Sequence, residues 1–195
     1  MLASRGCVGH ETGMNAADRP PFLTAADLPD PADSRTFHPF IKGVFSQWHA
    51  TSFALDGRTF VTVEQWMMFA KAALFGDSIR AAQILEVDDP AVQKRLGALV
   101  TPFDQEVWDR RKVDTVYRGN KAKFSQNHGA GRQLRATGDA MLVEANVRDW
   151  IWGAGLGMDD PAIGDPGQWR GTNYLGRILT LIRSEQCSVE PRAAR

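Results

Sequence analysis

The sequence predicts a mainly α-helical domain with one small β-hairpin. Apolar residues recur at helical spacing around Glu64–Phe75, Phe103–Phe124 and Thr172–Ser184. Asp56-Gly57 lies between two short apolar runs, and an Asp-Gly pair suits a turn that needs positive φ at both central residues. The 195 residues show no internal repeat and no second domain.

In chain order, residues 1–36 are rich in Pro, Asp, Ala and Gly and predict an irregular, partly mobile arm. The globular part, 37–185, begins near Phe37, and Val44-Phe45-Ser46-Gln47-Trp48 predicts a short strand. Ser52–Leu55 and Thr59–Val61 are the hairpin arms. Thr62 is the predicted N-cap of the Glu64 helix. Gly76-Asp77-Ser78 interrupts, and Ile79–Leu85 forms the next helix. Asp89-Pro90 supplies a cap and a proline at the first helical position of Ala91–Val100. The long helix Phe103–Phe124 carries Trp108, Val113, Val116 and Tyr117 inward and a basic, solvated run outward. Arg132–Ala136 is a short helix, and Met141–Ala145 is a short strand or helix. A glycine-rich loop runs from Trp152 to about Trp169, before the final helix. Residues 186–195 are a C-terminal tail.

Composition narrows the function classes. Twenty-three basic and 23 acidic residues balance to zero, which argues against a broad nucleic-acid-coating surface and stable DNA binding. The two cysteines, Cys7 and Cys187, lie near opposite ends and suggest no disulfide framework, so a reducing cytoplasm fits. No apolar run approaches the ~18 residues of a membrane span. Four scattered histidines lack metal-ligand spacing, and no metal or cofactor is expected. Gly153-x-Gly155-x-Gly157 departs from the dinucleotide fingerprint, because its third glycine comes too early and no βαβ unit surrounds it. It does permit close backbone approach to a ligand. Ser46 and His49 lack a nucleophile elbow. Carboxylate and lysine chemistry is left.

Glu64-Gln65-Trp66-Met67-Met68-Phe69-Ala70-Lys71 is the most informative stretch. Glu64, Met67, Met68 and Lys71 share one face of an otherwise apolar helix. Their end residues have Cα atoms about 10 Å apart at 1.5 Å rise per residue, room for a sugar-sized ligand. A buried carboxylate or ammonium is expensive without a partner or a task. A structural ion pair, or a helix-start glutamate with a snorkelling lysine, accounts for the same pattern.

Several stretches, in order, resemble one family. They are Phe45-Ser46-Gln47-Trp48, Glu64-Gln65-Trp66-Met67-Met68, Lys71-Ala72-Ala73-Leu74-Phe75-Gly76-Asp77 and Arg118-Gly119-Asn120-x-Ala122-Lys123-Phe124-Ser125-Gln126-Asn127. Leu142-Val143-Glu144-Ala145, Asp149-x-x-Trp152-Gly153-x-Gly155 and Gly171-x-Asn173-x-Leu175-Gly176 complete the set. Together they resemble the YbiA/NADAR family of N-glycosidases from about Phe37 to Arg183. The resemblance implies a compact, orthogonal helical domain with a small hairpin. It implies hydrolysis of a C–N bond between ribose and a nitrogenous group, in one of two substrate classes. These are phosphoribosylamino-pyrimidine intermediates of riboflavin synthesis and ADP-ribose attached to guanine, free or in nucleic acid. A non-catalytic ADP-ribose or nucleotide-binding module is the competing reading, and the oligomeric state is left open. The chain departs from the family pattern at Gln47-Trp48, where Asn-Phe is common, and at Trp150, which follows Asp149.

Cleaving an N-ribosyl bond develops positive charge on the sugar and requires a proton at the leaving nitrogen. Glu64 and Asp149 are the expected carboxylate pair, with a turn or capping aspartate as the alternative for Asp149. Lys71 either binds phosphate or forms a Schiff base with open-chain ribose. Trp48 and Trp152 are candidates to stack on a base or cover the sugar, or to pack in the core. Asn173 is expected to bond phosphate or ribose beside free helix N–H groups, or to be a plain cap. Ser46, Lys123, Gln126, Asn127 and Gly153 complete the expected binding set.

Overall fold

The computed structural model describes residues 22–189. Cys7, most of the expected arm and residues 190–195 of the expected tail lie outside the described residues. Strand β1, Phe37–Phe40, pairs in parallel with a distant strand, Met141–Glu144, placing Phe40 opposite Glu144. Met141, Leu142 and Val143 are wholly buried, which settles the strand-or-helix alternative: a short apolar run covered on both faces suits a parallel strand. The predicted strand at Val44–Trp48 does not form. Gly43–Phe45 is a 3₁₀ turn, Gly43 has φ +79°, and among the described residues no second strand lies alongside. The hairpin of β2, Phe53–Leu55, and β3, Arg58–Phe60, matches expectation. Asp56 and Gly57 have φ of 49° and 74°, the geometry the turn chemistry demanded.

Helix α1, Val63–Leu74, starts where Thr62 accepts a hydrogen bond from Gln65 N at 3.0 Å. Asp77 caps α2, Ser78–Leu85, and Asp89 caps α3, Pro90–Ala98. Asp104 caps α4, Gln105–Gln126, through Val107 N at 3.0 Å. Helix α5, His128–Arg135, begins four residues before the predicted start. The remaining strand, Met141–Glu144, is β4, and α6 runs Tyr174–Val189, past the predicted end of the domain at 185. Helix α1 packs on α2, α3 and α4, while α6 covers β4 and α4. Phe45, Met67, Phe124, Leu142, Leu175 and Ile178 meet in the main core. Each such side chain stabilises by about 1.5–3 kcal/mol through burial.

Residues 22–36 hold two short 3₁₀ turns, Ala25–Asp27 and Pro31–Asp33, and are fastened to the domain. Leu28 is 5% exposed and joins the main core. The Arg177 guanidinium donates to the carbonyls of Pro29, Ala25 and Leu28 at 2.9, 3.3 and 3.3 Å. Leu23 N donates to Asp114 at 3.0 Å. A lone leucine among prolines carries no periodicity, and its anchor lies about 150 residues away, so the packing has no local signal.

Candidate active site

Five elements, among them α4 through Trp108, line a cleft of about 460 Å³, a volume suited to a small ligand. Helix α1 supplies Glu64, Met67, Met68 and Lys71, and α3 supplies Lys94 and Gly97. The segment after β1 supplies Lys42, Ser46, Gln47 and Trp48. The end of β4 and the loop beyond it supply Glu144, Asn146, Asp149 and Trp152. The helix period that put Glu64 and Lys71 on one face therefore puts both into the same cavity.

Glu64 is 3% exposed, and its Oε1 has no hydrogen-bond partner. Burial pushes its carboxyl up to about 7; nearby Lys94 and a hydrogen bond from Trp48 oppose the rise, and the Asp149 charge adds to it. Its backbone N–H donates to Gln47 O at 3.2 Å, tying the Ser46–Trp48 segment to the helix. The same segment is held from the other side by Lys123, whose ammonium donates to Ser46 O at 2.9 Å.

Asp149 is partly exposed, and its Oδ1 accepts from Ile151 N at 3.0 Å and Trp152 N at 2.8 Å. The turn role and the cleft position coexist in one side chain. Gly153 lets this loop close onto β4: a Cβ there would lie 2.8 Å from Glu144 O and 2.9 Å from Asp149 O. Trp152 lines the cleft with its ring edge-to-face against Tyr174, centroids 6.3 Å apart. Trp48 is 44% exposed, with the Lys94 ammonium 5.9 Å from its ring. Lys71 donates to Gly97 O at 2.9 Å and lies 4.2 Å from the Phe103 ring centre. Burial lowers its ammonium from the ordinary range.

Six of the expected residues thus share one cleft: Ser46, Trp48, Glu64, Lys71, Asp149 and Trp152. The other five lie outside its lining. Wholly buried Asn173 accepts from Glu144 N and donates to Leu142 O, both at 2.9 Å, clamping β4 to the start of α6. Gln126 bonds both backbone groups of Ala54 at 2.8 Å, and Asn127 donates to Ser52 O at 3.0 Å, so both pin the hairpin. Lys123 is wholly buried, and burial brings its ammonium down to about 7. Gly153 acts through its backbone. Lys123, Gln126, Asn127 and Asn173 each give side-chain polar atoms to protein partners.

Sequence reasoning missed Glu144. It is 9% exposed, lines the cleft, and its Oε2 has no hydrogen-bond partner. Burial first, then the charges of Asp149 and Glu64, push its carboxyl up to about 8, against the pull of Lys94. The signal was a glutamate inside the apolar run Met141–Ala145. Among the described residues, no group of three or more His, Cys, Asp or Glu is placed to hold a metal ion. No helix of those residues is long and apolar enough to cross a membrane.

Two buried carboxyls of raised proton affinity thus share an aromatic-edged cleft with a more exposed aspartate. Residues 36–186 match the NADAR domain family. An N-glycosidase of Acanthamoeba polyphaga mimivirus is 40% identical over 147 residues, 73% of this chain and 86% of its own length. N-glycosidase YbiA of Escherichia coli is 30% identical over 148 residues, 76% of this chain and 83% of its own. The NMR structure of E. coli YbiA superposes with a TM-score of 0.65 at 27% identity, covering 82% of this chain and 92% of that one. The chain belongs to the NADAR family, and its relatives place it among the hydrolases of N-glycosyl bonds.

Proposed function

We propose that the protein hydrolyses the C–N bond between a ribose and a nitrogenous base, working in a reducing cytoplasm. The carrying observation is Glu64: a buried carboxyl with an unpartnered oxygen, poised near 7, in a ligand-sized cleft that also holds Asp149. A carboxyl with this proton affinity delivers its proton to the leaving nitrogen at neutral pH and takes one back from water. Asp149 stabilises the positive charge that develops at C1 and the ring oxygen as the bond lengthens. Trp48 and Trp152 sandwich or cover the base and sugar. Lys42 and Lys94 supply ammonium charge for a phosphate.

Two substrates share this chemistry, a phosphoribosylamino-pyrimidine of riboflavin synthesis and ADP-ribosylated guanine. Assaying purified protein against both in parallel tests the proposal. Release of free base from one of them is expected. Tight binding of both with no bond cleavage would overturn it in favour of a binding module.

Lys71 has two roles to separate. In the covalent route its neutral amine adds to C1 of the ring-opened substrate, the base nitrogen leaves carrying a proton, and water later hydrolyses the resulting imine to free the ribose and the lysine. Borohydride added during turnover reduces that imine to a stable adduct on Lys71, visible by peptide mass spectrometry. Lys71→Arg keeps the charge but forms no imine. An active Lys71→Arg enzyme with no trapped adduct leaves direct hydrolysis by Glu64 and Asp149.

A further inference from the structure

Four buried side-chain oxygens among the described residues lack a hydrogen-bond partner, and three of them belong to residues that line this cleft: Gln47 Oε1, Glu64 Oε1 and Glu144 Oε2. Gln47 Oε1 is an acceptor, and each of the two carboxyls keeps acceptor capacity even when protonated. A buried acceptor without a donor costs about 1–3 kcal/mol, more when charged, so three at one cavity describe a site whose missing partners are donors on a ligand. Phosphate oxygens cannot fill this role, since they too are acceptors. Neutral hydroxyl groups can.

Glu144 is held firmly by its backbone. Its residue pairs with Phe40 across β1 and β4. Its N–H is bound by Asn173 at 2.9 Å, and its carbonyl accepts from Ala154 N at 2.9 Å. The backbone is fixed at every polar atom, while a carboxyl oxygen is left unmet on a side chain that lines the cavity. Glu144 also feels the charges of both Glu64 and Asp149, which places it beside the reacting centre those two serve. On a ribosyl substrate the hydroxyl adjacent to the reacting carbon is the 2-hydroxyl.

We infer that Glu144 is the sugar-reading residue of this site: its unpartnered carboxyl oxygen accepts a hydrogen bond from the ribose 2-hydroxyl and selects ribosides over 2-deoxyribosides. The inference rests on the ribosyl reading above and adds the residue that distinguishes the two sugars. It applies to either substrate class, because both carry a ribose with a 5-phosphoryl group. A bond to the 2-hydroxyl that strengthens as charge builds on the ring also assists the reaction, as in O-glycosidases.

The test uses the full chain and two probes, ribose 5-phosphate and 2-deoxyribose 5-phosphate, titrated by calorimetry. The wild type is expected to favour the ribose compound by at least ~10-fold, as a buried bond to a carboxyl provides. In Glu144→Leu the ratio is expected to collapse to within about two-fold, and in Glu144→Gln to fall part of the way. Both variants are expected to melt no lower than the wild type, since replacing an unpaired buried carboxyl removes a cost rather than a contact. A structural role for Glu144 would instead lower the melting temperature and weaken both sugars equally. A folded Glu144→Leu, or Glu144→Gln if the leucine variant does not fold, that keeps the wild-type ratio overturns the inference. Equal binding of both sugars by the wild type overturns it while sparing the ribosyl reading. Failure of the wild type to bind either sugar removes that reading and the inference together.

Discussion

Glu64 and Gln65 are neighbours on α1, equally buried, and opposite in what surrounds them. Gln65 is engaged at every polar atom: its Oε1 accepts from Val61 N at 2.9 Å, and its amide donates to Ile84 O and Val87 O, both at 3.1 Å. Glu64 ends in an oxygen with no partner. The contrast extends across the molecule. Gln93 and Asn173 are wholly buried and fully bonded into the scaffold, whereas the buried acceptors of the cleft are open. Burial of a polar group therefore does not mark the site in this protein. Burial without satisfaction falls there three times in four, the exception being Asn120 Oδ1 on α4, outside the cleft lining.

The largest effect should come from the open side of this contrast. Glu64→Gln keeps shape and hydrogen-bonding size but holds no proton to donate. Turnover is expected to fall by ~10³-fold or more, within the range of lost acid–base assistance, with an unchanged melting temperature. A folded variant with wild-type turnover would place Glu64 with the structural residues. Asp149→Asn retains an oxygen for Ile151 N and Trp152 N but loses the charge. A drop of ~10²-fold is expected, and an unaltered rate would restrict Asp149 to its turn.

On the bonded side the signature inverts. Gln65→Leu strands Val61 N and two carbonyls and is expected to cost about 2–4 kcal/mol by chemical denaturation, while the folded fraction keeps its activity. A stable but inactive Gln65→Leu would break the contrast. Removing residues 1–36 exposes the Leu28 seat and frees Arg177, with an expected loss of about 2 kcal/mol. Equal denaturation midpoints for the shortened and full chains would show the arm to be dispensable.

The smallest effect is on pH dependence. Both open carboxyls have folded-state values raised from 4.5, Glu64 to about 7 and Glu144 to about 8. A raised acid contributes stability fully below its unfolded value, and that contribution is lost as pH rises through the folded value. Melting temperature should therefore fall between about pH 5 and pH 8, by on the order of 5 °C. The groups facing this pair are Asp149, which raises both values, and Lys94, which lowers them. Glu64→Gln with Glu144→Gln should flatten the profile. An equally steep profile in the double variant would assign the pH dependence to other groups.

Local signals carried most of the fold. Helical period, the caps at Thr62 and Asp89, and the Asp56-Gly57 turn each lie within a few residues of the element they start or close, so α1, α3 and the hairpin were legible directly. The same period placed Glu64 and Lys71 on one face, and the order of short motifs pointed to Asp149 and Trp152. Satisfaction of a polar side chain is not a local property. Lys123 finds Ser46 across 77 residues, Asn173 finds Glu144 across 29, and Gln126 finds Ala54 across 72. By itself the sequence determined which residues were unusual, since a charged or amide group in an apolar or motif-rich stretch is visible wherever it occurs. Only the tertiary structure decided which of them were already bonded and which were left open. A hydrogen bond is a distance of about 3 Å in space, and chain separation does not fix it.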